Sequence, residues 1–446
     1  MDNNDLGFDL HIRKEPPVTL VSPKNPNPVE TIYLSNIDQQ LIFPVETLFI
    51  FKGNKSFNNN EVDIVETVKK ALSEKLLVSY FFLAGRINFN ILQQRLELVC
   101  NNAGILFVGA NSDLRLGELG DLSAPNPSFR DLIHELEGFD SLADTPVFTV
   151  QVTKFKCGGF SIGYATNHSI LDGRSAAEMF QKLAAICRGD ETALDNYVLN
   201  TDRSYIKARN PLQIKFDHKE YTKQTFSNFS TPTSQTKVNP SILDSTDAPR
   251  FELVALNSNF ISMLKKKAMV KCSSFEAVVA HIWKCRAAAF YDDPTKVSSV
   301  LFAVDIRGKM EPPLPDSFVG NAVITASASA VVEDLLVEPF SFCVEMVKEG
   351  IQKVTNEYVR SAIDWWEMHK GVPAIIDGNF FVSAWWKLPF HELDFGWGKP
   401  VYAGPLVTSM HEFVLLLPGQ NGDGINVWIA LERDRMERFM SYILMC

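Results

Sequence analysis

A long polar stretch near the middle of the chain constrains the fold more than any other feature. Residues 222–250 of this 446-residue sequence are rich in Ser, Thr, Asn and Pro and lack periodic apolar residues, which is typical of an exposed connection. Strand-like and helix-like segments alternate on both sides of it. We therefore predict a mixed α/β protein with two halves of similar size, residues 1–221 and 251–446, joined by a crossover linker.

The composition excludes several classes of protein. With 46% hydrophobic and 22% charged residues, the chain is neither disordered nor fibrous. A formal net charge of −10 argues against nucleic-acid binding, because the neutralisation of phosphates needs clustered Lys and Arg. The seven cysteines form no C-x-x-C pair, which indicates reduced thiols and argues against a zinc site. We expect no bound metal.

The sequence also bears on localisation. Residues 1–17 are acidic and broken by charges, unlike a secretory signal. The densest apolar run, residues 76–84, has half the length of the roughly 18-residue run that spans a bilayer. We expect a cytoplasmic, monomeric protein without a transmembrane segment.

The turn between a strand and a helix carries the most informative short motif, His168-Ser-Ile-Leu-Asp172-Gly173. Residues 158–166 have the composition of a buried strand, and residues 172–188 place apolar side chains at helical spacing. His168 thus ends a rigid strand, where loops often carry catalytic groups, and the ordinary imidazole pKa of about 6.5 suits a general base. A core histidine bonded to a backbone carbonyl is the alternative, and so short a motif does not decide between them.

A second, longer motif favours a catalytic role for His168. Residues 388–399 read LPFHELDFGWGK, and together the two motifs resemble the plant BAHD family of acyl-CoA-dependent acyltransferases, whose signatures are HxxxDG and DFGWG. Further segments match in the family's order, among them LSNID at 34–38, LAGR at 83–86, DR at 202–203, VDIR at 304–307 and GN at 320–321. The resemblance therefore covers nearly the whole chain.

The sequence departs from the usual family pattern at two places. Phe82 stands where the family usually has Pro, and Ser383-Ala-Trp385 stands where it usually has Thr-Ser-Trp. The aromatic run ending at Phe82 and the segment 43–47 look like the branch that transfers hydroxycinnamoyl groups to ω-hydroxy acids and fatty alcohols. Phe43 and Pro44 are accordingly our candidates for the substrate channel.

The resemblance implies the fold. It implies two chloramphenicol-acetyltransferase-like domains with mixed sheets flanked by helices and an active-site channel at the domain interface. Residues 1–221 would form the domain with HxxxDG, and residues 251–446 the domain with DFGWG.

The resemblance also implies roles for the motif residues. His168 would be the general base, and Ser383 and Trp385 would stabilise the oxyanion, although Trp385 could equally be only a core aromatic. Asp172 would form a structural ion pair with Arg307. Gly173 fits a tight turn in which a side chain would crowd the backbone.

The DFGWG motif is expected to be structural. In the family it forms a loop away from the chemistry, so Gly396, Trp397 and Gly398 would shape that loop and Asp394 would pair with an arginine. Ser169 is discounted as a nucleophile, since neighbouring side chains at a strand end tend to diverge.

Coenzyme A is a polyanion and needs a local basic site on this acidic chain. Lys265 begins the densest basic run, and Ser273 and Ser274 begin a helix with an S-x-x-E capping box, whose free amides could receive phosphate. Similar positions in the family line the CoA entrance. A charge run is also typical of a merely solvated helix face.

The implied activity is an acyl-CoA-dependent O-acyltransferase of plant specialised metabolism. A hydroxycinnamoyl or other aromatic acyl group would pass from the CoA thioester to a small-molecule alcohol by direct attack. Acyl-CoA would be a co-substrate, with no permanently bound cofactor. Two alternatives stay open: the same chemistry on an alkaloid, phenolic or amine acceptor, and a non-catalytic relative that regulates lipid elongation.

Overall fold

The computed structural model describes most of the chain. The described residues are 10–15, 19–53, 63–122, 126–135, 139–190, 192–195, 198–221, 250–370, 379–406, 413–419 and 422–445. The predicted crossover linker therefore lies outside the described residues, apart from Arg250 at its end.

The elements alternate between strands and helices, as predicted. The strands are β1 (Ile12–Lys14), β2 (Thr19–Val21), β3 (Glu30–Tyr33), β4 (Pro44–Phe51), β5 (Arg86–Asn90), β6 (Arg95–Cys100), β7 (Ile105–Ser112), β8 (Phe148–Phe155), β9 (Phe160–Asn167), β10 (Arg250–Leu256), β11 (Val297–Asp305), β12 (Val323–Val331), β13 (Asn379–Ala384), β14 (Tyr402–Pro405), β15 (Phe413–Pro418) and β16 (Ile425–Leu431). The α-helices are α1 (Asn36–Gln39), α2 (Ile64–Ala71), α3 (Leu77–Ser79), α4 (Gly173–Cys187), α5 (Ser258–Lys267), α6 (Ser274–Phe290), α7 (Val332–Val337), α8 (Phe340–Lys353), α9 (Asn356–Met368) and α10 (Arg433–Ile443).

The chain forms two compact units, each built from three segments. The first unit comprises Met1–Lys207, Leu314–Ala322 and Leu388–Thr408, and the second comprises Ala208–Pro313, Val323–Lys387 and Ser409–Cys446. This division differs from the linear one expected from the sequence, because the DFGWG residues belong to the first unit. The physical reason is strand pairing, since β14 pairs antiparallel with β4.

The first unit is organised around a large mixed sheet. Its order is β1-β7-β8-β9-β4-β14, with β2 also paired to β7, and a smaller sheet has the order β3-β6-β5. β9 lies near the centre, and all its residues except Asn167 are buried. A strand covered on both faces needs the continuous run of apolar and small residues that β9 has.

The second unit contains a sheet of order β10-β16-β15-β13-β11-β12. β13 pairs parallel with both β11 and β15, and the other pairs are antiparallel. Its main helix, α6, is buried along most of its length, with Trp283 fully enclosed. The mixed α/β composition predicted from the sequence is therefore present in both units.

Candidate active site

His168 follows the last residue of β9 and precedes α4 by one short turn. The backbone N–H of His168 donates to the carbonyl oxygen of Phe43 over 2.9 Å, and Pro44 pairs with Asn167 in the sheet. The Phe43 ring lies edge-on to the imidazole with 5.4 Å between the ring centroids. Phe43 and Pro44 are exposed, so the sheet brings these two candidate channel residues beside His168.

The environment of His168 favours the neutral imidazole. The side chain is half-buried, and burial lowers its pKa, opposed by its own backbone carbonyl, by Asp172, by Asn321 and by Asp38. The Nδ1 atom is buried and has no hydrogen-bond partner among the described residues, and a side-chain hydrogen bond with Asn321 is one of the contacts that act against burial. The net lowering of the pKa favours the form of His168 that can accept a proton.

Ser169 is placed for structure and not for catalysis. It is fully buried, its hydroxyl donates to the side-chain oxygen of Asn167 over 2.7 Å, and its backbone N–H donates to the same oxygen over 3.1 Å. A serine nucleophile would need its hydroxyl directed at a base and at substrate. This geometry supports discounting Ser169.

Asp172 caps α4. Its Oδ1 accepts from the backbone N–H of Ser175 over 2.9 Å, and its Oδ2 accepts from the backbone N–H of Ala322 over 3.0 Å. Both contacts lie within the first unit and hold the buried carboxylate at the helix start. Arg307 belongs to the second unit, where its Nη1 lies 3.4 Å from Asp305. The Asp172–Arg307 ion pair stays a prediction.

Gly173 has a different close neighbour from the one expected. A Cβ at this position would lie 2.8 Å from the Leu388 side chain, and no backbone atom is among its three nearest neighbours. The crowding that we expected against the backbone is therefore against Leu388, which a small side-chain shift could relieve.

Asp38, Arg203 and Asn321 lie near the turn at His168. They belong to segments that match the family, but no role was expected for them. Asn321 donates from Nδ2 to the carbonyl oxygen of His168 and to Oδ1 of Asp38, both over 2.8 Å. Arg203 lies 3.6 Å from Asp38. Asp38, Arg203 and Asn321 are far apart in the chain, so a single sequence gives no signal that they meet.

The DFGWG motif forms a capped loop of the first unit. Oδ1 of Asp394 accepts from the backbone N–H groups of Gly396 over 2.7 Å and Gly398 over 2.9 Å, and both glycines have positive φ. The expected arginine partner is Arg188, but Arg188 donates to the backbone carbonyl of Asp394. The carboxylate is used by the loop's own amides, which corrects the expected Asp394–arginine ion pair.

Trp397 places this loop relative to His168. Its ring packs edge-on against Phe160, the first residue of β9, at a centroid distance of 5.3 Å. His168 follows the other end of the same eight-residue strand, about 25 Å away at 3.3 Å per residue. The loop therefore lies far from the candidate base, and its structural role stays a prediction.

Ser383 and Trp385 belong to the second unit. Ser383 lies in β13 opposite Leu415 of β15, and Trp385 follows directly in a short 3₁₀ helix. Both side chains are half-buried. Ser383 lies on the opposite face of β13 from Phe380 and Val382, which are buried. Their role at the oxyanion stays a prediction.

The candidate CoA residues flank the loop between α5 and α6. Lys265 is exposed in the last turn of α5, where basic side chains also complement the helix dipole. The predicted capping box is present: Ser273 Oγ accepts from the Glu276 N–H over 3.2 Å, and the Ser273 N–H donates to the Glu276 carboxylate over 2.6 Å. The backbone N–H of Ser273 is used by the cap. The backbone N–H of Ser274, the next residue, is therefore our candidate donor for an anion.

A sequence model of the Transferase family matches residues 16–443, nearly the whole chain. The chain belongs to this family, the BAHD acyltransferases. The resemblance drawn from HxxxDG and DFGWG is thereby confirmed. None of the described helices is long and apolar enough to cross a membrane.

Two relatives from Arabidopsis thaliana illustrate the likeness. The acyltransferase GLAUCE is 41% identical over 429 residues, which cover 93% of this chain and 91% of the relative. The omega-hydroxypalmitate O-feruloyl transferase is 32% identical over 460 residues, which cover 100% of this chain and 96% of the relative. This BAHD protein is an acyltransferase that transfers groups other than aminoacyl groups, with acyl-CoA as the co-substrate of the family.

The fold has a counterpart among solved structures. TRI101 of F. sporotrichioides, in complex with coenzyme A and T-2, matches with a TM-score of 0.73 and 17% identity over 92% of this chain and 97% of that chain. This likeness confirms the predicted class of two chloramphenicol-acetyltransferase-like domains. The channel at a domain interface stays a prediction.

Proposed function

We propose that this BAHD protein transfers an acyl group from acyl-CoA to a small-molecule hydroxyl by direct attack, with His168 as the general base. One observation carries the proposal. His168 is half-buried at the end of a buried strand, beside the exposed ring of Phe43, and burial lowers the pKa of its imidazole. A general base must be unprotonated at neutral pH, and a lowered pKa favours that form.

The chemical step balances without a covalent enzyme intermediate. Nε2 of His168 takes the proton of the acceptor hydroxyl while the oxygen attacks the thioester carbon. The tetrahedral intermediate then collapses, the carbon–sulfur bond breaks, and the imidazolium returns the proton to the leaving thiolate. General base catalysis of this kind typically contributes about 10²- to 10⁴-fold to the rate.

The oxyanion of that intermediate needs hydrogen-bond donors. We assign this role to the Ser383 hydroxyl and the Trp385 indole N–H, a role that the family resemblance implies. A donor of this type is worth about 3 kcal/mol in the transition state. Ser383→Ala and Trp385→Phe should each lower kcat by about 100-fold while leaving the donor KM nearly unchanged, whereas a core role for Trp385 would affect stability and not kcat.

The substrates are proposed from the relatives and from the surface beside His168. Feruloyl transfer to omega-hydroxypalmitate is the activity in the name of one relative, and a fatty alcohol with caffeoyl-CoA appears in another. An aromatic acyl-CoA with an aliphatic alcohol is therefore our leading pair. The exposed Phe43 ring beside His168 supplies an apolar surface for either group.

The remaining parts of the proposal concern the binding of coenzyme A, one structural ion pair, the localisation and the oligomeric state. The phosphates of CoA would lie near Lys265 and the helix start at Ser273 and Ser274, where the Ser273 N–H is used by the cap. Asp172 would pair with Arg307 as a structural contact. We propose a cytoplasmic monomer. Lys265→Ala should raise the KM for acyl-CoA and leave kcat unchanged.

The experiment follows product formation with defined pairs. Feruloyl-CoA, acetyl-CoA and benzoyl-CoA are each incubated with 16-hydroxypalmitate, 1-hexadecanol, benzyl alcohol and hexadecylamine, while thiol release and ester or amide mass are recorded. We expect ester from an aromatic donor with wild type and with the His391→Ala control, whose histidine is half-buried beside Glu392, and none with His168→Ala. Thiol release no faster than that of His168→Ala with every pair would contradict catalysis and favour a non-catalytic regulator.

A further inference from the structure

Three consecutive residues contact the turn that carries His168. They lie in the segment Leu314–Ala322, which belongs to the same compact unit as the turn. The contacts are Gly320 N–H to Ser175 Oγ (3.2 Å), Ser175 Oγ to Gly320 carbonyl (3.1 Å), Asn321 Nδ2 to His168 carbonyl (2.8 Å) and Ala322 N–H to Asp172 Oδ2 (3.0 Å). The segment 320–322, which we name the clamp, therefore fixes the turn at its first residue, at Asp172 and in the first turn of α4.

Asn321 is the side chain that makes the clamp specific. It is fully buried, and its two amide protons go to two acceptors, the His168 carbonyl and Oδ1 of Asp38. Only the nitrogen of the amide can serve two acceptors at once, so this geometry fixes which way the side chain faces. A residue without that nitrogen leaves both acceptors buried and unpaired.

Asn321 contacts a buried ion pair formed by Asp38 and Arg203. Asp38 accepts at Oδ2 from the backbone N–H and hydroxyl of Ser35 over 2.7 and 2.8 Å, and Arg203 lies 3.6 Å from it with both side chains at most 1% exposed. Arg203 also donates to the carbonyl of Ile170, inside the turn, over 3.3 Å. The pair thus supports the turn both directly and through Asn321.

Gly320 leaves room for this arrangement. Its φ is +151°, and a Cβ there would lie 2.5 Å from Arg203 Nη2. A glycine at position 320 is therefore needed both for the backbone conformation and for the approach of the guanidinium.

We propose that Asn321 is a positioning residue of the acyltransferase, which holds the backbone of His168 and thereby the direction of its ring, with Asp38 and Arg203 as its support. This inference rests on the proposed role of His168 as base. The carbonyl that Asn321 holds belongs to His168 itself, so a rotation of this peptide would move the imidazole away from the substrate. A displacement of about 1 Å at a reacting group can cost about 100-fold in rate.

The charges around His168 give a readout that packing alone would not affect. Asp172, Asn321 and Asp38 each raise the pKa of His168 against the effect of burial. Asp172 comes from the start of α4 and Asp38 from α1, and the positive charge of Arg203 is directed at Asp38. Removal of Asn321 or of the Asp38 charge should lower the pKa of His168.

The first experiment compares Asn321→Ala with wild type and with Ser298→Ala. The control loses one buried side-chain bond, the donation from Trp283 Nε1 to Ser298 over 3.0 Å, in the second unit. With the fastest donor and alcohol of the panel, Asn321→Ala should lower kcat by about 10- to 100-fold with the donor KM changed less than about threefold. Ser298→Ala should keep kcat. An Asn321→Ala protein with kcat within twofold of wild type overturns the proposal.

A second variant separates positioning from packing. The double change Asp38→Asn and Asn321→Asp keeps one amide, one carboxylate and the net charge, but it turns a carboxylate oxygen towards the His168 carbonyl. If Asn321 serves only to satisfy Asp38, the double variant regains wild-type kcat, and the proposal is overturned. If it holds His168, kcat stays as low as in Asn321→Ala.

A third measurement needs no turnover. The eight histidines are labelled with ¹³C at Cε1, the His168 signal is assigned with His168→Ala, and its titration is followed in wild type, Asp38→Asn and Ser298→Ala. Asp38→Asn removes the charge and leaves one acceptor oxygen, which either Asn321 or the Ser35 N–H can use, and loss of the charge or of the Asn321 contact would act in the same direction on the His168 pKa. We expect the His168 pKa to fall in Asp38→Asn alone, and an unchanged pKa overturns the proposal. Absence of turnover in wild type would contradict the proposed function and leave this titration informative.

Discussion

His218 in the second unit has hydrogen-bond partners that resemble those of a catalytic-triad histidine more closely than the partners of His168 in the first unit do. Its Nε2 lies 2.9 Å from the hydroxyl of Ser361 and its Nδ1 lies 3.2 Å from the carboxylate of Glu220. Ser361, His218 and Glu220 thus have the connectivity of a hydrolase triad. His168 has a neighbouring serine whose hydroxyl donates to Asn167 instead, and its Nδ1 has no hydrogen-bond partner among the described residues.

The burial and the hydrogen-bond count reverse this impression. His218 and Ser361 are fully buried, and the Ser361 oxygen accepts from the backbone N–H groups of Lys215 and Phe216 over 2.9 and 3.2 Å. With both lone pairs used, the hydroxyl proton is directed to His218 Nε2, and nothing is left to attack a substrate. A histidine becomes catalytic through the atom that it leaves free, so connectivity alone is a poor guide.

The acidic member of the buried cluster supports the same conclusion. Burial acts to raise the pKa of Glu220, but hydrogen bonds from His218 and Tyr358 outweigh it, and the net effect is a lowered pKa. The carboxylate is therefore ionised and already occupied. The cluster anchors residues 215–220 to α9.

Replacement of each histidine by alanine should separate the two regions most strongly. His168→Ala removes the base and should lower kcat by about 10²- to 10⁴-fold with little loss of stability. His218→Ala should keep the kcat of the folded fraction and lower the unfolding temperature. Thiol release and circular dichroism on the same samples measure both. The comparison breaks if folded His218→Ala loses as much activity as His168→Ala.

Ser361→Ala should be strongly destabilising without affecting the chemistry. It leaves the N–H groups of Lys215 and Phe216 and the Nε2 of His218 without their partner, at about 1–3 kcal/mol for each buried group. We expect a lower urea midpoint and an unchanged kcat. Ser204→Ala, which removes an exposed hydroxyl bound to Asp202, is the control and should change stability by less than about 0.5 kcal/mol. Equal midpoints for the two variants would show that the buried cluster contributes nothing.

Gly320→Ala should affect stability and activity together, unlike any change in the His218 cluster. The added Cβ meets Arg203, and overpacking of this kind costs about 1–3 kcal/mol. Gly308→Ala is the matched control, because a Cβ there has no neighbour within 4 Å. Thermal unfolding and kcat are measured for both. A Gly320→Ala protein as stable and active as Gly308→Ala would remove the steric argument for the clamp.

Acid should reveal a smaller effect on stability. Burial lowers the pKa of His168 and of His281, the latter against a hydrogen bond with the Ile443 carbonyl. The unfolded chain then takes up protons near pH 6.5 that the folded chain does not, so stability is lost as the pH falls below about 6.5. His281→Gln should reduce this slope by at most about 1.4 kcal/mol per pH unit. Urea unfolding between pH 5 and 7 measures it, and an unchanged slope would exclude His281 as a contributor.

Local signals carried the parts of this structure that were predicted correctly. The turn at His168 follows from a run of strand-forming residues and a helical period, and the α6 cap follows from Ser273 and Glu276, which are three positions apart. The family motifs added the fold, which is confirmed, and the candidate base, which stays a prediction. Phe43 could be placed in the channel only through the resemblance, and the sheet register then brings it to His168.

Tertiary contacts account for what sequence reasoning missed. Asn321 meets Asp38 across 283 residues of chain, a separation at which no periodicity or motif gives a signal. Asp394 was expected to bind an arginine through its carboxylate, yet the loop's own amides are nearer in sequence and take it first. The assignment of residues 388–408 to the first unit depends on β14 pairing with β4, which a linear view of domains cannot anticipate.

The pH dependence of kcat/KM, compared with the titration of His168 in the same wild-type protein, tests the central claim most directly. The acid limb of kcat/KM reports the pKa of the essential base in the free enzyme. We predict that this limb lies below pH 6.5, in the direction set by burial, and coincides with the His168 titration followed by ¹³C NMR. An acid limb that follows another group, or that persists in His168→Ala, would contradict the account.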